Sequence, residues 1–173
     1  AADLTPVTLE LAERNPTNIG MDKVTDAQTI PVIAGIKSVK RGQLCITVDH
    51  VFVPEAGLDA FVGALAGHMR TAFAHDNAAG SACGIISPRH VARLEALVAE
   101  ARASGAQVIQ IGEAMDAAAR DMPFYIVVDP ADGLGVMREE IFGPILPVKT
   151  YRSTDELIAR INLTNCSIRV DGK

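Results

Sequence analysis

The sequence predicts an α/β fold in which a mainly parallel, twisted sheet is flanked by helices. Strand-like segments alternate along the chain with helix-like segments of about ten to fifteen residues, the pattern of βαβ units. Hydrophobic residues make up 49% of the chain but aromatic residues only 4%. The core must therefore consist mainly of Val, Ile, Leu and Ala, as in buried parallel strands. A length of 173 residues is enough for one domain with a substantial core.

Five segments have the composition of strands. Each is short, rich in Val, Ile or other apolar residues, and bounded by residues that favour loops. The second ends at Pro54, as expected of a strand that leads out of a loop, and the third and fourth are apolar enough to be buried. The five predicted strands cover residues 5–11, 45–53, 108–111, 124–128 and 145–151.

Two helices are predicted in the first half of the chain. Residues 24–39 are helix-like, although Pro31 lies among them and should kink or split the helix. Residues 58–73 carry one apolar stripe at three- and four-residue spacing, which is typical of a helix packed against a core. Residues 74–81 are small and polar and predict a loop.

Capping signals delimit the helices of the second half. Ser87 followed by Pro88 predicts the start of a helix, and Gly105 is well placed to end it. Residues 132–140 predict a helical turn or loop. The S-T-D-E run at residues 153–156 is a capping box, which opens a helix that runs to about residue 162.

Composition excludes several classes of function. The net charge is −5 and there is no basic run, so nucleic acid is not an expected partner. No apolar stretch is long enough to span a membrane and no signal peptide is recognisable, so a membrane partner is not expected either. The three cysteines are odd in number and widely spaced, which argues against disulfides and for a cytoplasmic protein. The four histidines lack metal-ligand spacing, so no metal site is predicted.

Three short motifs stand in a fixed order. They are T-L-E-L at residues 8–11, G-Q-L-C at residues 42–45, and E-I-F-G-P at residues 140–144. Each resembles a motif of aldehyde dehydrogenases, in the order in which that family carries them, and the resemblance extends over nearly the whole chain. The segments at 45–54 and 87–94 look closest to the branch acting on coniferyl-type, aromatic and long-chain aldehydes.

The resemblance implies a role for four residues. Cys45 would be the catalytic nucleophile and Glu10 the general base, with a 35-residue offset close to the family's spacing. Glu140 would hold a ribose of NAD or NADP, and Phe142 would pack beside the nicotinamide. The implied reaction is oxidation of a small-molecule aldehyde to a carboxylic acid through a thiohemiacetal and a thioester on the cysteine, with hydride transfer to NAD(P).

The resemblance also implies that residues 1–173 are a single, partial catalytic domain. The family's dinucleotide-binding domain would precede residue 1, so most cofactor contacts would lie outside the chain. The expected partner is therefore that missing domain or, because a sheet cut from its neighbours exposes edges and apolar surface, another copy of the chain.

Two departures from the family pattern leave other functions open. Ala12, Glu13 and Arg14 stand where the family has two glycines and a lysine, and Lys40-Arg41 is an unfamiliar basic pair. If close to Cys45, that pair could stabilise a thiolate. The chain could instead be an inactive binding or assembly module derived from the fold. It could also be a cofactor-free thiol hydrolase that uses Cys45 and Glu10. Without its motif, Cys45 would be a small buried hydrophobe and Glu10 an ordinary surface glutamate.

Overall fold

The computed structural model describes residues 14–78, 83–113 and 118–163. Five strands in these ranges form one sheet, in the order β1-β2-β5-β4-β3. Strands β1, β2, β5 and β4 run parallel to one another. Strand β3 pairs with β4 in the antiparallel direction. The predicted α/β fold with a mainly parallel sheet is confirmed. The strands are β1 (Pro16–Asn18), β2 (His50–Pro54), β3 (Gln107–Ile111), β4 (Phe124–Val128) and β5 (Ile145–Tyr151).

Helices cover both faces of this sheet. Alternate residues of β4 point to opposite sides, so that Phe124 and Ile126 join one apolar cluster while Tyr125 and Val127 join the other. Helices α1 and α2 complete the first cluster, and α3 and α4 complete the second. The result is a three-layer α/β/α arrangement. The helices are α1 (Thr29–Ser38), α2 (Leu58–Ala78), α3 (Pro88–Ala103), α4 (Gly135–Arg138) and α5 (Thr154–Leu163).

Helix α1 begins five residues later than predicted, and Pro31 does not kink it. The Asp26 carboxylate accepts hydrogen bonds from the backbone amides of Gln28 and Thr29, at 3.1 and 2.8 Å, and fixes the start there. Pro31 is then the third residue of the helix. In the first turn a backbone N–H has no partner within the helix, so proline is tolerated.

Three other segments differ from the prediction, two in their boundaries and one in its burial. Strand β2 starts at His50, because residues 45–49 belong to the loop described below. Helix α2 continues through Ala74 to Ala78, since nothing in that stretch breaks a helix. Strand β3 forms the edge of the sheet, and of its residues only Ile111 is buried. The predicted strand at residues 5–11 lies outside the described residues.

The capping predictions are confirmed. The Ser87 hydroxyl accepts a hydrogen bond from the His90 amide at 3.3 Å, and Gly105 ends α3 with a φ of +84°. The Ser153 hydroxyl accepts one from the Glu156 amide at 3.2 Å. The Glu156 carboxylate reaches back to the amide of Arg152, one residue before the predicted cap. Among the helices described, none is both long and apolar enough to cross a membrane.

Candidate active site

The cysteine loop, residues 39–49, leaves α1 through a left-handed turn. Lys40, Arg41 and Gly42 have φ values of 49°, 57° and 72° in succession. Residues other than glycine rarely adopt this backbone conformation, which costs about 1–3 kcal/mol per residue and persists only where the surroundings enforce it. Beyond the turn, Cys45 lies exposed with a free thiol. The loop therefore carries an accessible cysteine on a strained backbone.

Two amide side chains fix this loop. Asn15 donates from Nδ2 to the carbonyl oxygens of Cys45 and Thr47. Gln43 donates from Nε2 to the Gly84 carbonyl at 3.2 Å and accepts the Ile86 amide on Oε1 at 2.9 Å. The glutamine of the G-Q-L-C motif is thus a structural link between the cysteine loop and the segment that precedes α3.

The guanidinium of Arg41 contacts an aspartate and an aromatic ring. Its guanidinium donates to Asp121 at 2.9 Å and lies 4.1 Å from the centre of the Phe73 ring. The side chain is only 6% exposed. Lys40 is exposed. A guanidinium held by Asp121 and Phe73 is part of the support of the loop, a role that the sequence did not indicate.

The 140–144 turn carries the second predicted part of the site. Phe142 has a φ of 48°, a left-handed conformation in a bulky aromatic residue. The Ile141 amide donates to Asp49 at 2.9 Å, and Arg93 donates to the carbonyls of Glu140 and Ile141. Three of the described non-glycine residues with positive φ, Lys40, Arg41 and Phe142, thus lie in the cysteine loop and this turn.

A contact between two glycines joins the loop to the turn. A Cβ atom built on Gly42 would lie 2.5 Å from the carbonyl oxygen of Gly143, which is backbone and cannot move aside cheaply. A Cβ on Gly143 would in turn lie 2.5 Å from a methyl of the buried Leu94. The G-Q-L-C and E-I-F-G-P motifs are therefore adjacent in space, and their glycines permit that approach.

A buried charge cluster lies beside this junction. Asp49, 2% exposed, forms an ion pair with Arg14 at 3.3 Å and lies 3.3 Å from the Nδ1 atom of His50. Lys37 is fully buried, and its Nζ atom has no hydrogen-bond partner among the described residues. Sequence reasoning did not identify this cluster, because a lysine in a helix and an aspartate before a strand are both ordinary surface residues.

Burial and charge shift two pKa values in this cluster. Burial lowers the pKa of Lys37 to about 8, and the negative charge of Asp49 opposes that effect only in part. Burial would raise the pKa of Asp49, but its contact with His50, the charge of Lys37 and the Ile141 amide outweigh it, so that the pKa lies below its usual value. Asp49 is therefore ionised at neutral pH.

Glu140 and Phe142 line one open cavity of about 570 Å³, together with Arg14, His90 and Arg93. A carboxylate that can accept two hydroxyl groups beside an aromatic ring fits a ribose joined to a nicotinamide, and the size is usual for a ligand site. The described lining does not include Cys45. Glu10 lies outside the described residues. Within the described ranges no group of three His, Cys, Asp or Glu residues could hold a metal ion.

Comparison with known proteins confirms the resemblance. A sequence model of the aldehyde dehydrogenase family matches residues 1–168. A probable coniferyl aldehyde dehydrogenase of Caulobacter vibrioides is 36% identical over 168 residues, which cover 94% of this chain and 34% of the relative. Aldehyde dehydrogenase family 3 member B2 of Mus musculus is 36% identical over 165 residues, which cover 94% and 33%. The chain thus spans about one third of the length of the curated relatives it matches.

Solved structures share the fold. The substrate-bound state of Staphylococcus aureus AldH matches with a TM-score of 0.79 at 28% identity, over 94% of this chain and 34% of that one. Mycobacterium tuberculosis aldehyde dehydrogenase complexed with NAD+ matches with a TM-score of 0.76 at 23% identity, over 92% and 34%. The α/β fold predicted from the sequence is therefore that of known aldehyde dehydrogenase structures.

Replacing Gly42 with Ala is expected to lower the free energy of unfolding by at least about 2 kcal/mol, because the new Cβ meets the Gly143 carbonyl and the backbone is left-handed. Gly35→Ala is the matched control, since it adds the same methyl to an exposed helical position with open space around it. It should be neutral or stabilise by up to about 1 kcal/mol. Urea denaturation measures both, and equal effects would contradict the glycine contact.

Lys37 should make stability rise with pH above about 8. Between that folded-state pKa and the ordinary value of 10.5, the unfolded chain binds a proton that the folded chain does not, so raising the pH favours folding. The unfolding free energy should rise by about 1.5 kcal/mol from pH 8 to 9.5, relative to Lys37→Met. Lys40→Met, at an exposed lysine, should keep the wild-type pH dependence. Parallel curves for wild type and Lys37→Met would contradict the assignment.

Proposed function

Because the chain belongs to the aldehyde dehydrogenase family, we propose that it is the catalytic part of an enzyme that oxidises an aldehyde to a carboxylic acid. One observation carries the proposal: the loop that presents Cys45 rests against the turn that carries Glu140 and Phe142, through the contact of Gly42 with Gly143. A nucleophile and the candidate cofactor-facing residues are thereby brought to neighbouring positions, as hydride transfer from a cysteine adduct would require.

Cys45 is the proposed nucleophile. Its sulfur adds to the aldehyde carbon, the carbonyl oxygen becomes a hydroxyl, and a thiohemiacetal forms. Loss of hydride from that carbon and of the proton from the hydroxyl leaves a thioester, which water then hydrolyses to the acid and the free thiol. The exposed side chain of Cys45 and its anchored loop suit this role, because attack needs both access and a fixed direction.

Glu10 is the proposed base for the hydrolytic water. Arg14, four residues further on, is held by the buried Asp49. Arg14 thereby belongs to the charge cluster that also holds the 140–144 turn. Where the family has a lysine, Arg14 pairs with Asp49, so the arginine at this one position does not argue against the proposal.

NAD or NADP is the proposed cofactor, and when bound it accepts the hydride. The Glu140 carboxylate would accept hydrogen bonds from a ribose, and the Phe142 ring would lie beside the nicotinamide. These two residues would hold only one end of the molecule. This chain spans 34% of its Caulobacter vibrioides relative, and most other contacts to the cofactor would lie outside it.

An aromatic or otherwise apolar aldehyde is the proposed substrate. Ile46, the residue after Cys45, is 76% exposed, and Val39 at the start of the same loop is 51% exposed. Exposed apolar side chains on the loop that carries a nucleophile are suited to contact an apolar substrate. The relative from Caulobacter vibrioides is named for coniferyl aldehyde.

Alkylation by iodoacetamide, followed for each cysteine by peptide mass spectrometry, tests the nucleophile in this chain directly. Cys45 should react at least about tenfold faster than the half-buried Cys83 at neutral pH, and benzaldehyde should slow the reaction of Cys45 alone. Cys83→Ser should leave the rate at Cys45 unchanged. Equal rates at both cysteines, or no protection by the aldehyde, would contradict the proposed role of Cys45.

A further inference from the structure

The 140–144 turn is held by charged side chains on two sides. On one side Asp49, which directly precedes β2, accepts the Ile141 amide on Oδ1 at 2.9 Å. On the other side Arg93, in α3, donates from Nη1 to the Glu140 carbonyl at 3.2 Å and from Nη2 to the Ile141 carbonyl. Both peptide groups that flank Ile141 are thus fixed by bonds to charged groups, which are stronger than neutral ones.

The backbone of this turn needs such support. Phe142 is left-handed, and a bulky residue keeps that conformation only where its surroundings impose it. The next residue, Gly143, cannot shift to relieve this strain, since its backbone already packs closely against Leu94 and Gly42. If the bonds to Ile141 were lost, the turn would relax at Phe142, and the ring and the Glu140 carboxylate would leave their positions at the cavity.

Asp49 is itself rigidly placed. Its second carboxylate oxygen, Oδ2, accepts from Nε of Arg14 at 3.3 Å and lies 3.3 Å from the His50 ring. The two oxygens therefore bind different partners: Oδ1 bonds to the turn, and Oδ2 to the other members of the charge cluster. The side chain is 2% exposed, so water does not compete for the bond to Ile141.

We propose that Asp49 and Arg93 are positioning residues that together hold the 140–144 turn in its left-handed form, so that Glu140 and Phe142 meet the cofactor in one fixed arrangement. The role in cofactor binding rests on the proposed function. The fixing of the turn does not depend on it. Asp49 is not among the residues described as lining the cavity and acts through Glu140 and Phe142, whereas Arg93 also lines the cavity. Removing either should loosen the turn while the rest of the fold persists.

Hydrogen exchange of the turn tests the structural half. In Arg93→Met, amides of the peptide covering residues 139–144 should exchange about tenfold faster, while those of α2 and the cysteine loop should not change. Asp49→Asn keeps one acceptor oxygen but loses the charge, and should give a smaller change in the same peptide. Arg89→Met is the matched control, an exposed arginine one helical turn earlier in α3, and should exchange like the wild type.

Steady-state kinetics of the protein that carries this chain test the functional half. Arg93→Met should raise the KM for NAD(P) about tenfold, and alkylation of Cys45 should stay within about twofold of wild type. Unchanged exchange of the turn in both variants would overturn the proposal. So would faster exchange with an unaltered KM. A wild type that reduces no NAD(P) would instead overturn the proposed function, and faster exchange would still support the fixing of the turn.

Discussion

The contact between Gly42 and Gly143 is the constraint on which the candidate site depends. Each glycine belongs to a different motif, and the two lie about a hundred residues apart in the sequence. Because backbone meets backbone there, even a methyl group at Gly42 would force the cysteine loop away from the 140–144 turn. The strained residues on either side, Lys40, Arg41 and Phe142, lie where the chain must bend to make this contact.

The charge cluster completes the same arrangement. Asp49 connects Arg14, in the segment that leads to Glu10, with Ile141 in the cofactor-facing turn, and Lys37 lies close to Gly42. Burying a lysine without a hydrogen bond costs stability, as its lowered pKa shows. Asp49 keeps Arg14 and the Ile141 amide as partners, so the cluster ties three separate segments of the chain to one buried carboxylate.

Local signals in the sequence were sufficient for much of the fold. The apolar stripe of α2, the Ser87 cap and the short buried strand β4 depend on residues close in sequence, and each was predicted correctly. The predicted start of α1 is wrong because the Asp26 carboxylate accepts the Thr29 amide, so that the helix begins at Thr29 rather than at residue 24. Residues 45–49 have the composition of a strand, so the sequence predicts one there. They form a loop instead, because the Asn15 side chain, thirty residues away in the sequence, bonds to the Cys45 carbonyl.

The motifs identified the segments of the site but not what supports them. Gln43 stands out in the sequence only as part of the G-Q-L-C motif. In the structure its side chain accepts the Ile86 amide and so joins the cysteine loop to the segment before α3. The bond from Ile141 to Asp49 spans 92 residues, and no local pattern indicates it. Supporting contacts of this length can be found only once the strands are paired, because β2 and β5 bring both partners together.

Detecting the acyl intermediate tests the central claim, that Cys45 forms the covalent bond to the substrate, most directly. Glu10→Gln protein would be mixed with benzaldehyde and NAD(P), quenched in acid, and each cysteine peptide weighed by mass spectrometry. If Cys45 is the nucleophile and Glu10 the base for hydrolysis, a benzoyl group should accumulate on the Cys45 peptide, and only when the cofactor is present. An unmodified Cys45, or a benzoyl group on Cys83 instead, would contradict the claim.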